Sequence, residues 1–317
     1  MTDSQDYAIM VEALTKRYGD VQAVNGISFT VRKGEVFAFL GPNGAGKTTT
    51  VEIIETIRTT TSGKVSVLGM DVMRQKRDII PRIGVLPQGF SSFDRITVRE
   101  TIQYYARLFG CKHIDIDALI SLANLEDKRD VQFRTLSGGL KQRLGIALAL
   151  VNDPEVVFLD EPTTGLDPHA RRAVWDVLLG LKNKGKVVFL TTHHMEEAEL
   201  LADTVAIISK GKLVATGSPD QLIERHTEDM CLTLKSVDVR ALETIRHMSF
   251  TPIRDSRNNI KVRVKHPDDV QEILSAIKGA GIPLPSLDVR KPNLEEVFLS
   301  LTGENLREGI PLDGDAR

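Results

Sequence analysis

Hydrophobic positions in the first two-thirds of the chain fall into two alternating kinds of segment. Continuous apolar or β-branched runs, as a strand buried on both faces carries, occur at Val36–Leu40, Val156–Leu159, Val187–Leu190 and Thr204–Ile208. Ile27–Val31 reads as a strand joined to the first of these around a Lys33-Gly34 turn, and Lys64–Leu68 as a short alternating strand. Between them lie helical patterns. Lys47–Ile57 is one. Thr97-Val98-Arg99-Glu100 is a capping box that starts another, running to about Leu108. Asp167-Pro168 supplies an N-cap and a proline at the first helical position, and Ala173, Val174, Val177, Leu178 and Leu181 form the stripe that follows, with Trp175 at its edge. The alternation predicts an α/β domain with a mostly parallel sheet.

After Gly217-Ser218-Pro219 one more helix runs out near His226, and the pattern then changes. Met230–Leu234 reads as a strand, Val239–Met248 as a helix, Thr251–Arg254 and Ile260–Lys265 as strands around Asn258-Asn259, Asp268–Ile277 as a helix and Leu287–Arg290 as a strand. This βαββαβ order is the ferredoxin-like pattern. Asn293–Leu301 adds a short amphipathic helix, and from Gly303 the sequence is charged and glycine-bearing. The predicted organisation is a nucleotide-type domain over 1–226, a small α+β domain over 227–303 and a loose tail over 304–317.

Composition narrows the classes. With 317 residues, 41% hydrophobic and 26% charged, the chain is ordinary globular protein. A net charge of −2 and the lack of a basic block argue against a nucleic-acid partner. The two cysteines, Cys111 and Cys231, are far apart and fit neither a disulfide scaffold nor a metal site. No apolar run approaches the roughly 20 residues that span a bilayer, and the polar start Met1–Asp6 does not read as a signal peptide. A role at a membrane would need another subunit to hold the chain there.

The strongest chemical signal is Gly41-Pro42-Asn43-Gly44-Ala45-Gly46-Lys47-Thr48-Thr49, directly behind the Val36–Leu40 run. This is the G-x-x-x-x-G-K-[ST] phosphate cradle: backbone N–H groups and a helix N-terminus face the phosphates, Lys47 adds a point charge and the Thr48 hydroxyl reaches phosphate-bound Mg²⁺. Asp160-Glu161 ends the apolar Val156–Leu159 run. A carboxylate at that strand end suits the Mg²⁺ shell, which gives Asp160 its candidate role, and Glu161 is the candidate general base or water-positioner. Ser137-Gly138-Gly139 opens a further helix N-terminus able to meet an anion. One nucleotide does not need two cradles in one subunit, so this second one is expected to serve a nucleotide held by another subunit.

Taken in order, these motifs resemble the ATPase subunit of an ABC transporter over about residues 7–225. The set comprises the P-loop at 41–49, Gln88, the signature Leu136–Leu140, the strand 156–160 with Glu161, Gly165-Leu166-Asp167, and His193 after Thr191-Thr192. The resemblance implies a P-loop NTPase core with an antiparallel β subdomain and a helical subdomain. It also implies ATP and Mg²⁺ as cofactors, with adenine stacked on Tyr18 and Gln88 touching both the Mg²⁺ shell and a membrane permease. His193 is expected to hydrogen-bond the γ-phosphate, and Asp167 to contact the second copy of a head-to-tail dimer. The segments Gly41–Thr49, Thr191–Glu199 and Leu294–Leu299 resemble, more narrowly, bacterial ATPases that energise ABC-2-type exporters, including antibiotic-resistance pumps such as the daunorubicin-resistance ATPase. That likeness implies export of a drug, an antibiotic or a lipid-like substrate, with the ATPase on the cytoplasmic face of the membrane and the permease docked near Gln88–Thr97, where Phe90 and Phe93 offer apolar anchors. Leu140 departs from the glutamine usual at its position, and His194 stands where tyrosine is common. The alternative is a soluble ABC-type switch with no membrane partner, a class that usually carries two ATPase cores or a long coiled-coil insertion, neither of which this chain has.

Overall fold

The structure, a computed structural model, describes residues 6–226, 230–235, 239–255, 258–283, 286–290 and 292–302. The chain divides into one compact unit over Met1–Pro219 and a second over Asp220–Gly303. The tail expected over 304–317 lies outside the described residues.

The first unit begins with β1 (Tyr7–Tyr18), β2 (Val21–Arg32) and β3 (Val36–Leu40), then α1 (Lys47–Ile54), β4 (Ser62–Val67), β5 (Met70–Asp71), α2 (Lys76–Ile79) and β6 (Ile83–Leu86). A helical stretch follows: α3 (Val98–Leu108), α4 (Ile116–Leu122) and α5 (Gly138–Ala149). The unit closes with β7 (Val156–Asp160), α6 (Pro168–Asn183), β8 (Val187–Thr192), α7 (Met195–Leu201), β9 (Thr204–Ser209) and β10 (Lys212–Gly217), leading into α8 (Pro219–His226).

A six-stranded sheet, ordered β10-β9-β3-β8-β7-β6, is parallel except for its edge strand β10. All five residues of β3 are buried, as are all six of β8, which is why their sequences are continuous apolar or β-branched runs. The antiparallel sheet β2-β1-β4-β5 packs against it through aromatic rings: Phe29 of β2 stacks on Phe37 at 5.3 Å, and Phe37 meets Phe189 at 5.1 Å. The helices α3, α4 and α5 bury a separate cluster that includes Ile102, Ile120, Phe133, Leu136 and Leu144. Thr97 caps α3 with both halves of the capping box formed.

The second unit contains β11 (Met230–Lys235), α9 (Val239–Arg246), β12 (Ile253–Arg254), β13 (Ile260–Val264), α10 (Pro267–Gly279), β14 (Ser286–Arg290) and α11 (Leu294–Thr302). Its sheet order, β12-β13-β11-β14, with every neighbouring pair antiparallel, is the ferredoxin-like arrangement. Leu232, Leu234, Ile260, Val262 and Val264 alternate along their strands and pack with Ala241, Ile245, Ile273 and Ile277 of the helices.

Several elements differ from the sequence expectation, which does not name β6, α4, α7 or β10 and gives β2 only as Ile27–Val31. β1 is a full strand that the sequence pattern does not announce, because its polar tail, Thr15–Tyr18, and a left-handed Ala13 (φ 48°) break the alternation. α1 stops at Ile54 rather than Ile57, and Thr56 turns left-handed at φ 66°.

Gly84 of β6 is a packing requirement: a Cβ there would lie 1.8 Å from the Ala149 carbonyl oxygen at the end of α5. Gly84→Ala must therefore push β6 and α5 apart. The expected loss is about 1–3 kcal/mol of stability, read as a lower urea midpoint for the full chain, whereas Gly180→Ala, at a site with nothing nearby, is expected to leave the midpoint unchanged or higher.

Candidate functional site

The loop after β3 has no freedom to drift. A Cβ on Gly41 would fall 2.5 Å from the Ile208 carbonyl oxygen, and one on Gly46 2.5 Å from that of Ala23, so the glycines let the loop press onto β9 and β2. Gly46 is left-handed at φ 105° and provides no side-chain cap for α1. The first-turn N–H groups of α1 are thus left to a ligand, and the helix dipole favours an anion there. Lys47 Nζ donates to the carbonyls of Gly41 (2.6 Å) and Pro42 (3.2 Å). Burial pulls its ammonium below the ordinary lysine range, while the Glu161 and Asp160 carboxylates act in the opposite sense.

A cavity of about 380 Å³ opens over this loop, lined by Pro42, Asn43, Gly44, Gly46, Lys47, Thr48 and Thr49, with Ala23, Gln88, Asp160 and Glu161 completing the wall. Parallel register brings the acids in: Asp160 of β7 pairs with Thr191 of β8, whose neighbour Thr192 pairs with Leu40 at the end of β3. The Thr191 hydroxyl donates to Asp160 Oδ1 and accepts the Glu161 N–H (3.1 Å). Glu161 is left-handed at φ 49°, which turns its carboxyl away from the strand direction. That carboxyl receives Gln88 Nε2 at 3.0 Å and Thr164 Oγ1 at 3.1 Å on Oε2, and His193 Nδ1 lies 3.2 Å from Oε1. The His193 contact, opposed by burial, holds the Glu161 carboxyl below its usual range.

This geometry brings an uncapped helix N-terminus, a lysine and the carboxyl pair Asp160 and Glu161 around one cavity. The chain that carries it is similar to known proteins. The ABC transporter family pattern matches residues 24–164. The Nod factor export ATP-binding protein I of Rhizobium meliloti (strain 1021) is 41% identical over 306 residues, covering 95% of this chain and 90% of that protein. The protein of the same name from Burkholderia lata is 40% identical over 298 residues, covering 92% and 96%. This chain belongs to the ATP-binding proteins of ABC transporters. Among solved structures, cbiO1 from Clostridium perfringens, part of the ABC transporter complex cbiONQ, superimposes with a TM-score of 0.61 at 27% identity over 69% of this chain and 91% of its own. The ATP-binding cassette MJ0796, solved as a dimer with ADP and Pi, shares the fold at 24% identity and a TM-score of 0.59, covering 66% and 98%.

Cassettes of this family bind ATP and hydrolyse it to power transport. In this ABC ATPase the remaining sequence-predicted residues stand apart from the phosphate cavity. Ser137 caps α5 through Leu140 N at 3.4 Å, and Ser137 and Gly138 are exposed. Gly139 is buried because a Cβ there would meet Ala170 Cβ of α6 at 2.6 Å. None of Ser137, Gly138 and Gly139 lines the cavity. Leu140 packs onto the core of the helical stretch. Tyr18, 40% exposed, is also outside the lining, with Lys16 Nζ 5.1 Å and the Arg58 guanidinium 5.7 Å from its ring. Asp167 accepts Ala170 N at 2.9 Å as the N-cap of α6. The His194 ring lies tilted against that of His193, with centroids 4.2 Å apart.

Sequence reasoning missed Thr191 and Thr164 as holders of the carboxylates. A β-branched threonine at a strand end is also an ordinary strand residue; the available signal was its position directly across the sheet from Asp160.

Glu55, which follows α1, is 7% exposed, and burial pushes its carboxyl up to about 8, with Asp160 and then Glu52 adding to the rise. In the unfolded chain it ionises near 4.5, so between the two values the folded state holds a proton that the unfolded state has lost. Stability from this group is present below about pH 4.5 and is lost as pH rises towards about 8. Glu55→Gln is expected to flatten that decline. Urea unfolding at about pH 5 and about pH 8 tests it: the variant should gain on wild type at the higher pH, and an unchanged gap would refute the assignment.

Proposed function

We propose that this chain is the ATP-hydrolysing subunit of an exporter. In this reading it works as a head-to-tail homodimer on the cytoplasmic face of the membrane and drives a separate ABC-2-type permease. The observation that carries the reading is the convergence of Gln88, Thr164 and His193 on the Glu161 carboxyl, on the wall of a cavity that also holds Lys47 and Asp160. Glu161 is the base that orients and deprotonates the attacking water. His193 hydrogen-bonds the γ-phosphate, and Lys47 neutralises charge on the β- and γ-phosphates. Phosphoryl transfer needs little covalent help, so fixing these groups accounts for most of the catalysis.

The donor set fits Mg²⁺. Thr48, Asp160 and Gln88 line the cavity and carry hard oxygens, Gln88 meets Glu161 through its amide nitrogen, and the described residues contain no His, Cys or acidic cluster suited to a metal held by protein alone. When bound, the ion neutralises phosphate charge. Tyr18, at the exposed end of β1, is the platform for adenine. Ser137, Gly138 and Gly139 of the second copy close on the γ-phosphate, which accounts for the exposure of Ser137 and Gly138 and for the absence of all three from the cavity of their own chain.

The permease docks beside Gln88–Thr97. A second cavity of about 500 Å³, lined by Ile80, Leu86, Phe90, Tyr105, Phe109 and Leu148 among others, starts next to Gln88. Phe90 reaches into it while packing edge-to-face on Phe133, and Phe93 remains 54% exposed. No described helix is long and apolar enough to cross a membrane, and in this reading the permease supplies the span. Relatives named for Nod factor export support the exporter direction. Drug, antibiotic or lipid-like export belongs with the permease, which meets the substrate.

Glu161→Gln removes the base and keeps the shape. Turnover by the full-length protein is expected to fall at least ~100-fold, with ATP still bound and an ATP-dependent dimer seen by size exclusion. Wild-type turnover would remove the role given to Glu161. Pull-down from solubilised membranes should recover an integral-membrane subunit, whereas ribosomes or DNA in its place would move the protein to the class of soluble ABC switches.

A further inference from the structure

The second cavity, of about 500 Å³, holds an acid that the fold does not use. Glu55 and Thr56 directly follow α1 and line it. Both are buried, at 7% and 6% exposure. The Glu55 carboxyl has no hydrogen bond or ion pair with any described residue. Lys76, exposed at the start of α2, lines the same cavity without pairing with it. The Thr56 hydroxyl oxygen is likewise buried without a partner. Two consecutive polar side chains at one wall thus go unanswered within the chain. Buried polar groups in native proteins are nearly always paired, and an unpaired acid lowers stability. Where one persists in the lining of a cavity, its partner comes from outside.

The surroundings show what that partner is attached to. Apolar side chains continue past the cavity onto the surface. Ile57, Ile80 and Phe109 belong to the lining and are exposed. Phe93 and Tyr104, also exposed, pack edge-to-face at 5.1 Å, and Tyr104 meets Tyr105 of the lining at 5.5 Å. A small cation would fill the cavity and leave this rim in water, whereas a protein segment covers both. The site is continuous with the nucleotide cavity: Pro87 and Gly89 line the one and Gln88, between them, lines the other. Whatever seats beside Glu55 therefore rests on the segment that carries Gln88 to the phosphates.

We propose that this cavity takes a short, mostly apolar segment of the permease and that a lysine or arginine of that segment forms an ion pair with Glu55. The methylene stem of such a side chain lies along the apolar wall while its charged end reaches the acid. The rim supplies contact area, and Glu55 supplies the choice of partner: a segment without the cation leaves the acid buried and unpaired, and is rejected. The claim rests on the reading that the permease docks beside Gln88, and the variants below separate the two.

The full-length protein is immobilised, and its affinity for the integral-membrane subunit is measured in solubilised membranes of the host. Phe93→Glu, on the rim, tests docking alone and should weaken binding ~10-fold or more. Wild-type affinity in that variant, or no membrane subunit bound by wild type, removes the docking reading and this proposal with it. With docking intact, Glu55→Leu and Glu55→Gln are each expected to weaken binding ~30-fold or more, because each leaves the partner's cation buried alone. An apolar groove without the ion pair predicts the reverse for Glu55→Leu, which would bind as tightly as wild type or more so. Lysines and arginines in the cytoplasmic loops of the bound subunit are then changed singly to methionine. One of these changes should cause the same loss against the wild-type chain. Against Glu55→Leu it should bring affinity back to within ~3-fold of the native pair, since a buried ion pair replaced on both sides by apolar groups is close to neutral. Wild-type affinity in Glu55→Leu, or no position that restores it, overturns the pairing and leaves docking in place. Should Glu55→Leu fail to fold, Glu55→Gln carries the same comparison.

Discussion

Parallel register between β3, β8 and β7 is the constraint on which the site depends. Leu40 lies opposite Thr192 and Thr191 opposite Asp160, so the three strands end level and the loops that follow them open on the same edge of the sheet. In open α/β sheets, ligands bind beyond that carboxyl edge. The register is in turn set by burial, since β3 and β8 are buried along their whole length and a one-residue slip would move every side chain to the other face. Phe29, Phe37 and Phe189 fix it from the side of the antiparallel sheet. Catalytic geometry is thus a consequence of core packing some distance from any phosphate.

On that frame the chain departs from low-energy choices, and the departures lie together. The N-cap of α1 is a left-handed glycine with no side-chain cap. Lys47 and Glu55 are buried ionisable groups at opposite ends of α1. Glu161 is left-handed without being glycine, and Glu197 is a buried acid with one oxygen unpaired. Each such feature costs on the order of 1–3 kcal/mol, and the surrounding apolar sheet must offset it. Sites that must meet a multiply charged ligand need donors and charges kept out of water in advance of binding, and such preorganisation lowers the stability of the chain that carries it.

How far the site was legible in the sequence depended on whether a residue's role follows from its neighbours along the chain. The P-loop, Asp160 and Glu161 were readable because a glycine loop or an acid directly after an apolar run has few other uses. Thr97 and Glu100 were readable because both halves of a capping box lie within one turn. The βαββαβ order was readable from period changes alone, and the sheet order β12-β13-β11-β14 agrees with it. Thr164 and Thr191 were not readable, because their own residue types suit ordinary loop and strand positions. β1 escaped for a related reason: it lies against both β2 and β4 with register shifts at its irregular middle, so no simple period survives. Gly139 was legible as a glycine and only partly in its reason, because the steric demand comes from Ala170 of α6.

The exposure of Ser137 and Gly138 links this chemistry to assembly. A serine N-cap held at only 3.4 Å from its own helix has little to lose by turning to an outside anion, since a charge-assisted bond is roughly twice as strong as a neutral one. Gly139 in the same turn is pinned against α6, whose N-cap, Asp167, ends the loop that starts at Glu161. An anion arriving at Ser137 therefore presses on α5, and α5 presses through Ala170 on the first turn of α6 and on that loop. The opposite end of α5 and its glycine Gly145 meet Leu86 and Phe90, beside Gln88. One helix thus touches the exposed anion-ready turn at its start and the apolar cavity near Gln88 along its length. Stiff elements of this kind, held closely against their neighbours, shift as units. In the proposed dimer, that gives a physical route by which a phosphate held by one copy is felt at the apolar cavity near Gln88 of the other.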